Sequence, residues 1–260
     1  MVSEGFTITQ GQIPVILHVP HSSRLIPEDI RSAISLTDEE LSYELDQMTD
    51  SHTDLIAHNA VADLSLKPWI FKNQLSRLVI DPERFPDERE VMNKVGMGAV
   101  YIKTSTGKNL RAEDFNPAPL IDKYFKPYAK AFSDLVSKLL VKHKAVLIID
   151  VHSYRLNQHP NAVNHGQSRP PICLGTDDFH TPKWLAQLAK DCFSPVGEVI
   201  ENQPYAGSYV PLEFYGKDQR VLSLMLEARA DQFLDEKLQP HAGLVRVAGA
   251  LSSLISKARV

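Results

Sequence analysis

The sequence predicts an α/β protein, with helices packed on a central sheet that is mixed and mostly parallel. Three observations lead there. Short β-rich or continuously apolar runs recur along the chain, as in strands covered on both faces. Segments with apolar residues at helical spacing alternate with them. Several of the runs end in polar, chemistry-bearing residues, which is where α/β proteins place their sites.

The strand signals fall at 13–19 (IPVILHV), 75–81 (LSRLVID), 145–152 (AVLIIDVH), 172–175 (ICLG) and 221–227 (VLSLMLE). The first helix is expected at 38–58, capped by Thr37 or Asp38, with Glu40 close to a capping-box position. A second at 121–143 carries Tyr124, Phe125, Tyr128, Phe132, Leu135 and Leu139 at helical spacing. Thr181 followed by Pro182 opens a third at 183–192, with proline at its first turn. A last helix is expected at 242–257. Residues 82–119 are rich in charge, glycine and proline, and read as a long surface excursion holding one short strand at 99–103. No repeat or linker divides the chain, so one domain over residues 1–260 is expected.

Composition narrows the function. The 260 residues are 43% apolar and 23% charged, ordinary for a globular protein with a substantial core. A formal net charge of -4 argues against nucleic acid or an anionic membrane as partner, since both call for a basic face. No apolar run approaches the roughly 20 residues that span a bilayer. The opening MVSEGFTITQ lacks the pattern of a secretory signal, so a cytoplasmic protein is expected. Cys173 and Cys192 have no CxxC spacing and are expected to behave as small buried apolar side chains. The sequence leaves the oligomeric state open.

Three strand ends carry the chemistry. The first gives HVPHSS with His21, the third LIIDVHS with Asp150 and His152, and the last LMLEARAD with Glu227 and Arg229. The early helix adds ELDQMTDSHTD, with Asp46, Asp50, His52 and Asp54. Two neutral imidazoles and a carboxylate, with a position left for water, make a catalytic zinc site. Glu227, at the end of a buried run, would then be free to act as a base with a raised pKa. Each piece also has a plain structural reading: a satisfied core histidine, a capped strand end, a solvated acidic helix face, a Glu227–Arg229 ion pair. Arg77 and Arg84 flank the exit of the 75–81 run and could clamp a carboxylate or pair with Asp81 and Glu83. Neither Ser22 nor Ser153 lies in a GxSxG elbow, which sets a serine hydrolase aside.

The ordered segments VPHSSRLIP, DQMTDSHTDLIAH, LSRLVIDPERF, LIIDVHSYR, ICLGT, NQPYAGSYVPLEFYG and LMLEARADQF resemble the N-formylglutamate amidohydrolase family, related in fold to zinc carboxypeptidases and to the succinylglutamate desuccinylase and aspartoacylase group. The resemblance implies a three-layer α/β/α sandwich of the phosphorylase/hydrolase-like kind, holding one zinc ion or another divalent transition metal. It implies a hydrolase of N-formylglutamate or a similar small acidic N-acyl amino acid. It places the metal on His21, Asp50 and His152, with Asp46 and His52 open as alternatives to the acid. Glu227 takes the role of catalytic base, and Arg84 and Arg77 hold the substrate carboxylate. Tyr209 or Tyr205 falls where a hydrogen bond could reach the developing oxyanion. The family's DLNR segment reads DPER here, placing Glu83 beside Arg84. Two rival readings are a carboxypeptidase or amidase acting on a larger peptide or cell-wall fragment, and a binding relative without turnover.

Overall fold

The computed structural model describes residues 5–162 and 164–260. Its elements run in chain order β1 (Phe6–Thr9), β2 (Val15–Val19), α1 (Glu28–Arg31), α2 (Asp38–Met48), α3 (Thr53–Ala62), β3 (Trp69–Asn73), α4 (Ala118–Leu120), α5 (Lys126–Leu140), β4 (Val146–Tyr154), β5 (Ile172–Gly175), α6 (Lys183–Phe193), β6 (Val199–Glu201), β7 (Val221–Arg229) and α7 (Gly243–Lys257). A π-helical turn, Ile121–Phe125, joins α4 to α5. The strands form one seven-stranded sheet in the order β1-β3-β2-β4-β7-β5-β6. The pairs β3/β2, β2/β4, β4/β7 and β5/β6 are parallel, while β1/β3 and β5/β7 are antiparallel. The expected mixed, mostly parallel α/β sheet is therefore what the chain forms.

Alternation along the three central strands assigns the two faces. Val15, Leu17 and Val19 of β2, Leu147, Ile149 and Val151 of β4, and Leu224, Leu226 and Ala228 of β7 belong to a core shared with α3, α6 and α7. Ile16, Val146, Ile148 and Val221 face the other way, onto Tyr128, Phe132, Leu135, Val136 and Leu139 of α5. The i, i+4, i+7 spacing of those α5 residues is the apolar stripe that the sequence carries. Helices thus cover both faces.

The N-terminus of α2 is a capping box: Glu40 N–H donates to Thr37 Oγ1 at 3.2 Å and Thr37 N–H donates to Glu40 Oε2 at 3.0 Å. The helix then stops sooner than its pattern suggests. In place of one helix over 38–58 there are two, broken at Thr49–His52, because Asp50 N–H donates out of the helix to His21 O (3.0 Å) and His52 turns left-handed at φ 64°. The run 75–81 is a turn rather than a strand; the strand is WIFKN, immediately before it. Leu75, Val79 and Ile80 instead plug a separate apolar cluster with Leu120, Tyr124 and Phe125. Residues 99–103 make only isolated bridges, Met97 with Tyr101 and Lys103 with Asn109. Pro182 caps α6, while the Thr181 hydroxyl donates to Ser223 O at 2.6 Å. Among the described residues no helix is long and apolar enough to cross a membrane.

Candidate functional site

The parallel core β2-β4-β7 ends at one edge, and its carboxyl ends carry the polar residues. In register, His18 of β2 lies beside Asp150 of β4, and His152 of β4 beside Glu227 of β7. Asp150 and His152 alternate with Ile149 and Val151, so both project to the α5 side of the sheet. His21 follows β2 by two residues. Asp50 arrives from the α2–α3 corner, held there by its N–H bond to the His21 carbonyl. Thr53 closes that corner by donating its N–H (3.2 Å) and its hydroxyl (2.9 Å) to Asp50 O.

His21, Asp50 and His152 converge. The two Nδ1 atoms are 3.3 Å apart, and Asp50 Oδ2 lies 2.9 Å from His152 Nδ1 and 3.7 Å from His21 Nδ1. All three side chains are buried. Zinc bonds of about 2.0–2.2 Å in tetrahedral array require donors roughly 3.3–3.6 Å apart, a range these spacings straddle. The far side of each imidazole faces acid. His21 Nε2 lies 2.9 Å from Asp81 Oδ1. His152 Nε2 lies 3.0 Å from Asp150 Oδ2 and 3.2 Å from Glu83 Oε2. A proton on each Nε2 leaves both Nδ1 lone pairs facing each other and a carboxylate, an arrangement that repels itself unless a cation sits between. A carboxylate hydrogen-bonded behind the ring, as Asp81 is to His21, is also how proteins fix the tautomer of metal-binding histidines, whereas His152 Nε2 has no partner in line among the described residues. The donor set therefore fits a divalent metal ion, and these three residues could hold one.

Asp81 is the hub behind His21. It is fully buried and accepts from Arg77 Nη2 (2.7 Å) and Nε (3.2 Å), from the Tyr101 hydroxyl (2.8 Å) and from Glu83 N–H (3.2 Å). Burial alone would raise its pKa; the Arg77 guanidinium and His21 outweigh that and hold it well below the usual carboxylate range. Burial would likewise lower His152, but Asp150 and Glu83 reverse the effect and raise it well above the usual imidazole value. Glu227 behaves oppositely. Burial, the largest effect, pushes its pKa up to about 8, and its Oε2 meets no hydrogen-bond partner among the described residues. A nearby divalent cation would draw that value back down.

A cavity of about 300 Å³ brings these groups together, lined by His21, Asp50, Arg77, Arg84, His152 and Glu227 among others. Arg77 is committed to Asp81. Arg84 is freer: among the described residues its nearest carboxylates are Asp81 at 3.6 Å and Glu90 at 3.9 Å, and its Nε has no hydrogen-bond partner. Of the two tyrosines weighed from the sequence, Tyr205 borders this cavity. Tyr209 instead stacks on Phe132 (5.4 Å between centroids, 16°) and lines a second, adjacent cavity of about 580 Å³. The remaining acids of the early segment are engaged elsewhere, Asp46 with Arg24 and Asp54 with Lys72. His52 caps α3 as its left-handed N-terminal residue. Arg229 pairs with Asp231 and not with Glu227. Sequence reasoning passed over Asp81 as a hub, along with His18 and the Tyr101 hydroxyl. The only signal for His18 was its place in an apolar strand, two positions before the halt at Pro20.

Comparisons with known proteins give the family and the fold. The family model for N-formylglutamate amidohydrolase matches residues 13–234. A crystal structure of an N-formylglutamate amidohydrolase from Ralstonia eutropha JMP134, at 21% identity, superposes with a TM-score of 0.77 and covers 96% of this chain and 95% of its own. A gene product of Agrobacterium tumefaciens, at 19% identity, superposes with a TM-score of 0.70 and covers 98% and 94%. Both show the same fold. No curated protein matches the chain.

Proposed function

The chain belongs to the N-formylglutamate amidohydrolase family, and from that premise we propose that it is a zinc-dependent hydrolase of the amide bond in N-formylglutamate or a similar small N-acyl amino acid. One observation carries the reading. Three buried metal-competent donors from three separate elements converge beside a carboxyl whose pKa is raised, in a cavity that also holds an under-used arginine. When bound on His21, Asp50 and His152, the ion supplies Lewis acidity, acidifying a water and polarising the scissile carbonyl. Glu227, in register with His152, would take a proton from the attacking water and deliver it to the departing amine, a contribution of about 10²–10⁴-fold. Arg84 offers its guanidinium to the substrate carboxylate. Arg77 keeps Asp81 ionised and thereby holds His21 in orientation. Tyr205, on the wall of the cavity, is the residue we assign to donate to the developing oxyanion.

The test is metal removal. Chelation abolishes hydrolysis of N-formyl and N-acyl amino acids, and added zinc restores it. Glu227→Gln binds zinc normally and loses most turnover, while Arg84→Gln raises KM for acidic substrates more than it lowers kcat. Hydrolysis that survives complete demetallation ends this reading. A larger acyl group is a second reading with its own observation: the 580 Å³ cavity shares Glu83, Arg84 and Met225 with the central one, more room than a formyl group needs. A series of N-acyl chain lengths separates the two.

A further inference from the structure

Behind His152 lies a second cluster that the proposed reaction does not use. His18 Nδ1 is 2.8 Å from Asp150 Oδ1 and 3.4 Å from Glu83 Oε1. The shorter of these distances normally means a hydrogen bond, yet among the described residues none of these three atoms has a partner in line, and all three are buried. His18 and Asp150 are at most 1% exposed as residues. Buried polar atoms are ordinarily satisfied, so three orphans aimed at one another call for a common partner.

Charge points the same way. Among the described residues, Asp150 and Glu83 have ion-pair contacts only with imidazoles: His18 and His152 for Asp150, and His18, His21 and His152 for Glu83. No lysine or arginine among the described residues comes within ion-pairing distance of either. Two carboxylates in an aromatic setting, with imidazoles as their ionic contacts, carry a large desolvation cost that a bound cation would offset. The surroundings on one side are aromatic: the His18 ring packs 4.8 Å from Phe132 and 4.8 Å from Tyr209, centroid to centroid. His18 Nε2 is 2.5 Å from the Tyr128 hydroxyl. An Nε2–H donating to that oxygen leaves the Nδ1 lone pair directed at the two acids, the tautomer a metal ligand needs.

We propose that His18, Glu83 and Asp150 form a second cation site, taking a first-row divalent transition ion such as zinc through one nitrogen and two carboxylate oxygens. The donors lie within 4.8 Å of one another, close enough for a single ion. Glu83 and Asp150 line the 580 Å³ cavity, which gives the ion a route in that does not pass through the central one. The site is distinct from the His21–Asp50–His152 set: it shares no ligand with it and touches it through the backs of His152 and His21. An ion there ties β2, β4 and the 82–84 segment together, and sets the charge of the acids behind His152.

Metal stoichiometry and location test this. The full chain is stripped with a chelator, dialysed against excess zinc, freed of unbound metal and analysed for zinc per chain; crystals of the same sample give anomalous difference maps at the zinc edge. Two ions per chain are expected, one between His21, Asp50 and His152, the other between His18, Glu83 and Asp150. Glu83→Gln and His18→Phe each reduce the count to one and erase only the second peak. Glu83 is partly exposed, so its variant carries the test if His18→Phe does not fold. A wild-type chain that saturates at one ion on the His21 set overturns the second site and leaves the proposed reaction standing. A single peak at His18, Glu83 and Asp150 does the reverse. Two ions retained in Glu83→Gln also overturn the assignment.

Discussion

Asp81→Asn separates the metal site from its support. The substitution keeps the size of the side chain and removes its charge. In the wild type the two carboxylate oxygens meet His21 Nε2, Arg77 Nη2 and Nε, the Tyr101 hydroxyl and Glu83 N–H, with no exposure to water. Asparagine accepts through one oxygen and presents an NH₂ where a donor already points. Arg77 then keeps only Asp50, at 3.9 Å, as a carboxylate partner. Leaving a buried guanidinium unpaired costs about 3–5 kcal/mol. His21 meanwhile loses the carboxylate charge behind its ring, and losses of this kind cost about 10–100-fold in metal affinity.

Urea unfolding of the metal-free protein, followed by the fluorescence of Trp69 and Trp184, measures the first effect. Zinc titration against a chromogenic chelator measures the second. The double variant Asp81→Asn with Arg77→Met sharpens the test. Removing the stranded guanidinium returns part of the stability, because apolar replacement of a buried pair is often near neutral. It does not return zinc affinity, because His21 still lacks its carboxylate. A folded Asp81→Asn protein with wild-type zinc affinity refutes the role given to Asp81. Loss of stability below about 0.5 kcal/mol refutes the accounting for Arg77.

The remaining expectations concern the scaffold. Glu44 is buried on α2 and accepts from Ser105 N–H (2.6 Å) and Oγ–H (2.8 Å); burial raises its pKa despite those bonds. A carboxyl raised in the folded state contributes stability below its unfolded pKa and loses it as pH rises through the folded value. Unfolding free energy against pH should therefore fall above about 4.5, and Glu44→Gln should remove that part of the slope. Burial pushes the Cys173 thiol up to about 11, and Cys192 is buried as well, so an aromatic disulfide reagent at pH 8 should label neither until denaturant is added. Phe132 is fully buried and stacks on Phe71 with centroids 4.6 Å apart, so Phe132→Ala should cost about 3–5 kcal/mol in urea unfolding. A loss under 1 kcal/mol would mean that the α5 side of the core closes over the gap.

How much of this could be read from the sequence depends on which contacts are local. The strands 145–152, 172–175 and 221–227 were legible because both faces of the central sheet are covered, and continuous apolar runs leave few alternatives. The same rule misplaced a strand at 75–81, since an apolar run that plugs a satellite cluster looks no different from one in a sheet. The early helix was read through its break because what ends it is distant: Asp50 N–H bonds to the His21 carbonyl, 29 positions away in the chain. That bond is also what delivers the acid to the two histidines, so the error in secondary structure and the formation of the site share one cause. His18 shows the limit most plainly. Alternation within β4 puts Asp150 and His152 on one face, which the sequence alone allows one to infer. Only the pairing of β2 with β4 brings His18 against Asp150, and a one-residue slip in that register would have turned it into the opposite core. Residue chemistry can be recognised strand by strand. The convergence of three strands, a helix corner and the 81–84 segment is a property of register and packing, and it determines which acids face a cation and which merely orient its ligands.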